Sequence, residues 1–144
     1  MSLKVICGAD HAGFALKESL KLSLIEWRYQ VEDCGTFSAD HPVDYPDYTL
    51  AVVTALKKDQ AAFGLLVCGS GIGMSIGANR HLGIRAALCH DVTTARLSRS
   101  HNDANILVLG ERIIGSLIAQ ECLKVFLTTS FAGGRHQERI EKLG

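Results

Sequence analysis

Residues 65–80 read LLVCGSGIGMSIGANR: an apolar run closing on Cys68, glycines at 69, 71 and 73, then a stretch of helical period. A short unbroken apolar run fits a strand covered on both faces. The glycines after it fit a tight turn into a helix. Working outward, the same alternation recurs along the chain. Strand-like runs stand at 3–8 (LKVICG), 29–33, 63–68 (FGLLVC), 84–88 (IRAAL) and 105–109 (NILVL). Helical period fills 12–27, 46–58, 72–81, 91–100 and 112–128, and a last short helix at 136–143 follows Gly133-Gly134. In the fifth helix Ile114, Leu117, Ile118, Val125 and Phe126 are expected on one buried stripe. The pattern predicts an α/β fold, a three-layer α/β/α sandwich on a five-stranded parallel sheet, Rossmann-like, in one domain spanning 1–144.

Composition narrows the function classes. With 15 basic against 15 acidic residues, the chain has no general electrostatic attraction for nucleic acid or an anionic membrane. It contains no apolar span near the roughly 18 residues needed to cross a bilayer. The opening MSLKVICG lacks the basic and apolar regions of a signal peptide, so a cytoplasmic location is expected. Cys7, Cys34, Cys68, Cys89 and Cys122 are odd in number and form no C-x-x-C pair, which argues against a disulfide framework or a zinc ribbon. Most of them read as buried thiols.

In open parallel sheets, ligands bind beyond the C-terminal ends of the strands. Two such ends carry polar groups: Gly8-Ala9-Asp10-His11 after the first strand, and Cys68-Gly69-Ser70-Gly71-Ile72-Gly73 after the third. The second segment admits three readings. As a dinucleotide fingerprint it is poor, because it sits in the third βα unit and runs G-x-G-x-x-x-G from Gly71. As a plain turn it needs only a buried thiol. As an oxyanion cradle it offers backbone amides and a helix N-terminus, which lowers a cysteine's pKa and makes Cys68 a candidate base or nucleophile.

Other groups carry paired readings too. Asp10 caps a helix or lines a site, and His11 is a surface histidine or a ligand contact. SRSHNDAN (98–105) is an ordinary polar turn or presents His101 as a proton carrier beside Asn102. Arg135 and Arg139, one helical turn apart, clamp a phosphate or pair with Glu138 and Glu141 at the surface. Tyr45 packs on a sugar or anchors its loop. Chain direction adds a constraint: Asp10, Cys68 and Ser70 lie at one edge of the sheet, His101 and Asn102 at the other. A pocket using both sets is therefore expected to draw them from two chains.

Five segments in order, GADHAGFALK, DYPDY, VCGSGIGMSIGANR, SRSHNDANILVLGERIIG and GGRHQERI, resemble the ribose-5-phosphate isomerase type B family, also called ribose/galactose isomerases. The resemblance implies a metal-free, cofactor-free interconversion of ribose 5-phosphate and ribulose 5-phosphate through an enediol, in a homo-oligomer, dimer or tetramer, with active sites between subunits. It matches Cys68 to the general base and Ser70 to a group that polarises the substrate. The amides of Gly69, Ser70, Gly71, Ile72 and Gly73 match the holder of the enediolate oxygen. Asp10 and His101 match ring-opening groups; His11, Arg112, Arg135 and Arg139 match phosphate contacts, and Asn102 a substrate contact. One branch of the family lacks the cysteine and has Glu at the position of Met74. Met74 cannot move a proton, so the chain resembles the cysteine branch. A hexose phosphate isomerase, acting on galactose 6-phosphate or allose 6-phosphate, and a non-catalytic phosphosugar-binding module are the competing readings.

Overall fold

The computed structural model describes residues 3–144; Met1 and Ser2 lie outside the described residues. The elements run β1 (Lys4–Ala9), α1 (Phe14–Glu26), β2 (Gln30–Asp33), α2 (Tyr45–Lys58), β3 (Phe63–Cys68), α3 (Ile72–Ala78), β4 (Ala86–Leu88), α4 (Val92–Ser100), β5 (Ile106–Gly110), α5 (Ser116–Thr128) and α6 (Arg135–Glu141). The strands pair in parallel in the order β2-β1-β3-β5-β4.

Period-two alternation divides each central strand between two cores. Val5, Cys7, Leu65, Val67, Leu107 and Leu109 face Leu16, Leu20 and Leu24 of α1 and Ala119, Leu123 and Phe126 of α5. Ile6, Leu66, Cys68, Ile106 and Val108 face Val52, Val53 and Leu56 of α2 and Met74 and Ala78 of α3. The three expected layers are thus present. Each fully buried large apolar side chain contributes about 1.5–3 kcal/mol. Among the described residues no helix is long and apolar enough to cross a membrane.

The fifth helix departs from expectation. It begins at Ser116, not near 112, because residues 111–114 form a turn tied to the end of β3 and to Gly110. Glu111 N donates to Cys68 O and Arg112 N to Gly69 O, both at 2.9 Å. Its buried stripe is Ala119, Cys122, Leu123, Phe126 and Leu127, while Leu117 and Ile118 are 64% and 39% exposed. Small Ala119 and Cys122 let the helix approach the sheet closely, which turns the larger residues at 117 and 118 outward.

The strand order also positions the site. The chain steps from β1 outward to β2, then crosses back to β3 on the other side of β1. Its direction reverses between β1 and β3, and the crevice of an open α/β sheet opens at the C-terminal ends of the strands flanking such a reversal. Asp10 follows β1 and Cys68 ends β3.

Candidate active site

At the end of β1 the chain turns through His11 and Gly13 into α1. A Cβ on Gly13 would strike the Val67 carbonyl, so only glycine lets the turn pass β3 this closely. Asp10 is 8% exposed, and its Oδ1 accepts hydrogen bonds from the amides of Ala12 and Gly13, both at 3.0 Å. The capping reading of Asp10 is therefore realised in one oxygen, and Oδ2 takes no part in these bonds. His11 is half-buried. Its Nδ1 accepts from the Val43 amide at 3.1 Å, which puts the proton of the neutral ring on Nε2.

At the end of β3 the Cys68 side chain reaches the wall of the same crevice. Burial pushes the thiols of Cys7, Cys34, Cys89 and Cys122 up, Cys7 to about 12 and Cys122 to about 11, and none of these four lines the crevice. The glycines after Cys68 have packing reasons of their own. Gly71 has φ +80°, and a Cβ there would strike the Leu88 side chain. A Cβ on Gly73 would stand 2.6 Å from the Tyr45 ring. The cradle reading keeps its support as well. Ser70 Oγ accepts from Ile72 N at 3.2 Å, and the amides of Gly69, Ser70, Gly71 and Gly73 have no acceptor among the described residues.

The crevice holds about 360 Å³ and gathers Asp10, His11, Tyr45, Cys68, Gly69, Ser70, Gly73 and Arg112 of the expected residues. Arg112 Nη1 lies 3.4 Å from where a Gly69 Cβ would stand, so the guanidinium covers the glycine loop. Two residues of the expected glycine loop do not reach the wall: Gly71 is buried beneath it, and Ile72 is 54% exposed on the outer surface of α3. Sequence reasoning missed Ala12 and Ile113, which complete the wall, and Val43, which orients His11. Their small or apolar side chains carry no chemical signal.

His101, Asn102 and Arg139 lie elsewhere, in a cavity of about 330 Å³ shared with His136 and Ile140. The His101 and His136 rings stack with centroids 4.4 Å apart and planes 13° apart. Desolvation, then the positive charges of His101, Arg135 and Arg139, hold His136 below the usual histidine range. Arg135 stands exposed one turn before Arg139, and neither pairs with Glu138 or Glu141 among the described residues. The length of β5 separates this group from the Cys68 crevice, a rise of about 16 Å. The two sets thus occupy opposite edges, as chain direction predicts. Among the described residues no group of three or more His, Cys, Asp or Glu side chains is arranged to hold a metal ion.

Comparison with known proteins bears on what this arrangement does. Residues 5–143 match the family model described as Ribose/Galactose Isomerase. The chain is 41% identical to ribose-5-phosphate isomerase B of Escherichia coli strain K12 over 97% of its own length and 93% of that protein. It superposes on a crystal structure of a ribose 5-phosphate isomerase from Thermotoga maritima with TM-score 0.96, at 51% identity, covering 99% of this chain and 98% of that one. A structure of ribose-5-phosphate isomerase B from Mycoplasma genitalium with bound ribulose-5-phosphate matches with TM-score 0.95, at 36% identity, over 99% of this chain and 95% of that one. The chain belongs to the ribose/galactose isomerase family.

Proposed function

We propose that the chain interconverts ribose 5-phosphate and ribulose 5-phosphate by proton transfer between neighbouring carbons, with Cys68 as the base. The observation that carries this reading is the meeting, in one crevice, of the Cys68 thiol with the amides of a glycine loop and the Arg112 guanidinium. In the open-chain aldose, the Cys68 thiolate removes the proton from C2. The C–H electrons form the C1=C2 double bond, and negative charge appears on O1. Ser70 and the amides of the 69–73 loop stabilise that charge, which is the largest single contribution such a site makes. A proton passes from O2 to O1, and Cys68 returns its own proton to C1. The carbonyl then stands at C2.

Ring opening precedes this step and needs an acid and a base on either side of the sugar ring. Asp10 fills one role through Oδ2. His101 fills the other, supplied by a second copy of the chain, because its own crevice lies an edge away. Asn102, Arg135 and Arg139 arrive with it, and the two arginines join Arg112 and His11 Nε2 around the phosphate. A two-fold assembly makes two identical sites of this kind. The unpaired state of Arg135 and Arg139 supports this role. The five free cysteines suit a reducing compartment and support a cytoplasmic enzyme, with residues 1–144 read as one domain.

A coupled assay with ribose 5-phosphate, galactose 6-phosphate and allose 6-phosphate tests the reading on the parent and on Cys68→Ala. Ribose 5-phosphate is turned over best by the parent and not measurably by the variant. Preference for a hexose phosphate would move the substrate class. Binding of sugar phosphate without turnover would make the chain a binding module.

A further inference from the structure

The turn that carries His101 and Asn102 is held by side chains that neither its sequence nor the proposed reaction explains. Its third residue, Asp103, has φ +46°, in the left-handed region that few residues other than glycine adopt. Arg99 reaches it from α4. Its guanidinium is nearly buried, 4.6 Å from the Phe63 ring centroid and 5.8 Å from that of Phe126. Nη1 donates to Asp103 Oδ1 at 2.9 Å and to Ala104 O at 2.6 Å. Arg85, just before β4, reaches Asp103 from the other side. Its Nε donates to Asp103 O at 2.8 Å, and its Nη2 stands 3.5 Å from Oδ2.

The following residues are tied down as firmly. Ala104 N donates to Ser98 O, while the Asn105 side chain bonds Arg85 N and Gly83 O. Residues 103–105 are therefore fixed from two elements, yet the two residues before them stand exposed. The arrangement carries a cost, since Arg99 Nε is buried without a partner. An apolar side chain packed beside the paired phenylalanine rings would fill that space without the cost. Rigid backbone under exposed polar side chains is what a preorganised half-site requires.

We infer that Asp103, clamped between Arg85 and Arg99, is a positioning residue that fixes His101 and Asn102 for a neighbouring copy's crevice. The inference rests on the proposed role of His101 in the reaction. Its shape requirement and its charge requirement separate cleanly. Asp103→Asn keeps a residue that tolerates the left-handed conformation and removes the charge. Arg85→Lys keeps a charge and removes the Nε donor at a side chain that is 24% exposed, and urea unfolding checks that the fold survives.

The test measures steady-state turnover of ribose 5-phosphate by both variants, alone and combined with His101→Ala, with urea unfolding as a check on folding. Nuclear Overhauser contacts between the His101 and His136 rings are recorded in parallel. Each single variant remains folded and loses kcat/KM by roughly 10-fold or more, as a misplaced group does. The same substitution costs clearly less in the His101→Ala background, because one of the two residues it positions is gone. The ring contact weakens in both. Equal losses with and without His101, or an undiminished ring contact, would overturn the inference. If the parent itself does not turn over ribose 5-phosphate, the functional reading falls alone, and the ring contact still decides the clamp.

Discussion

The ring of Tyr45 lies against Gly73 so closely that a Cβ on the glycine would stand 2.6 Å from both Cε1 and Cζ. Helix α2 begins at this tyrosine and α3 carries this glycine, so the contact joins the two helices at the mouth of the crevice. Tyr45 is 40% exposed, so its ring can swing aside, and the helix preference for alanine of up to about 1 kcal/mol offsets the cost of moving it. Gly73→Ala leaves the melting temperature near that of the parent and raises KM for ribose 5-phosphate by displacing Tyr45. An unchanged KM would remove Tyr45 from the substrate's surroundings.

The five cysteines divide by position. Cys68→Ala abolishes measurable isomerisation in a folded protein, a loss of at least the ~10²–10⁴-fold typical of a general base. Alanine at Cys7, Cys34, Cys89 or Cys122 leaves turnover near the parent value, since burial holds those thiols protonated at neutral pH and away from the crevice. Near-parent turnover in Cys68→Ala would assign the base elsewhere.

Arg139 shares its cavity with His101 and has no acidic partner among the described residues. Its proposed partner is a phosphate. Arg139→Ala raises KM more than it lowers kcat and weakens competitive inhibition by inorganic phosphate. Equal inhibition of variant and parent would return Arg139 to the surface.

Lys17 is fully buried and donates to both Asp33 carboxylate oxygens, at 2.7 and 2.8 Å, and to Thr36 O at 2.8 Å. Burial alone pushes the Asp33 carboxyl up, but hydrogen bonds from Lys17, Lys21 and the Gly35 amide outweigh it and hold the carboxyl below its ordinary value. A depressed folded pKa stabilises the protein above the unfolded value of about 3.9, and that stability is lost as pH falls through the lower folded value. Urea unfolding from neutral pH downward shows the parent losing stability below about pH 4. Asp33→Asn is less stable at neutral pH and flatter on the acid side. Parallel curves would exclude Asp33 as the source of the acid slope.

The fold was legible because its central strands are short unbroken apolar runs punctuated by glycine. Cys68-Gly69 and Gly110 mark strand ends that the apolar runs alone locate to within a residue or two. The start of α5 was not legible. Arg112-Ile113-Ile114 has helical composition, but its turn is set by carbonyls of Cys68 and Gly69, which are distant in sequence. The crevice was legible in most of its polar members, since Asp10, His11, Cys68 and Ser70 stand at or just after strand ends, whereas Arg112 was indicated only by the family resemblance. The glycine loop was half legible. Spacing suggested open amides, while the packing of Gly71 on Leu88 and Gly73 on Tyr45 depends on contacts that no local pattern encodes. Buried Lys17 and Arg99 were invisible for the same reason: their carboxylate and aromatic partners lie far along the chain.

The central claim is that Cys68 of one copy and His101 of another act in one site. The direct measurement mixes Cys68→Ala and His101→Ala proteins, each strongly impaired alone, after joint unfolding and refolding in equal amounts. Random pairing in dimers makes about half of them mixed, each with one intact site by symmetry, so activity returns to about a quarter of the parent level. No recovery, despite demonstrated exchange of subunits, would place the whole site within one chain and contradict the account.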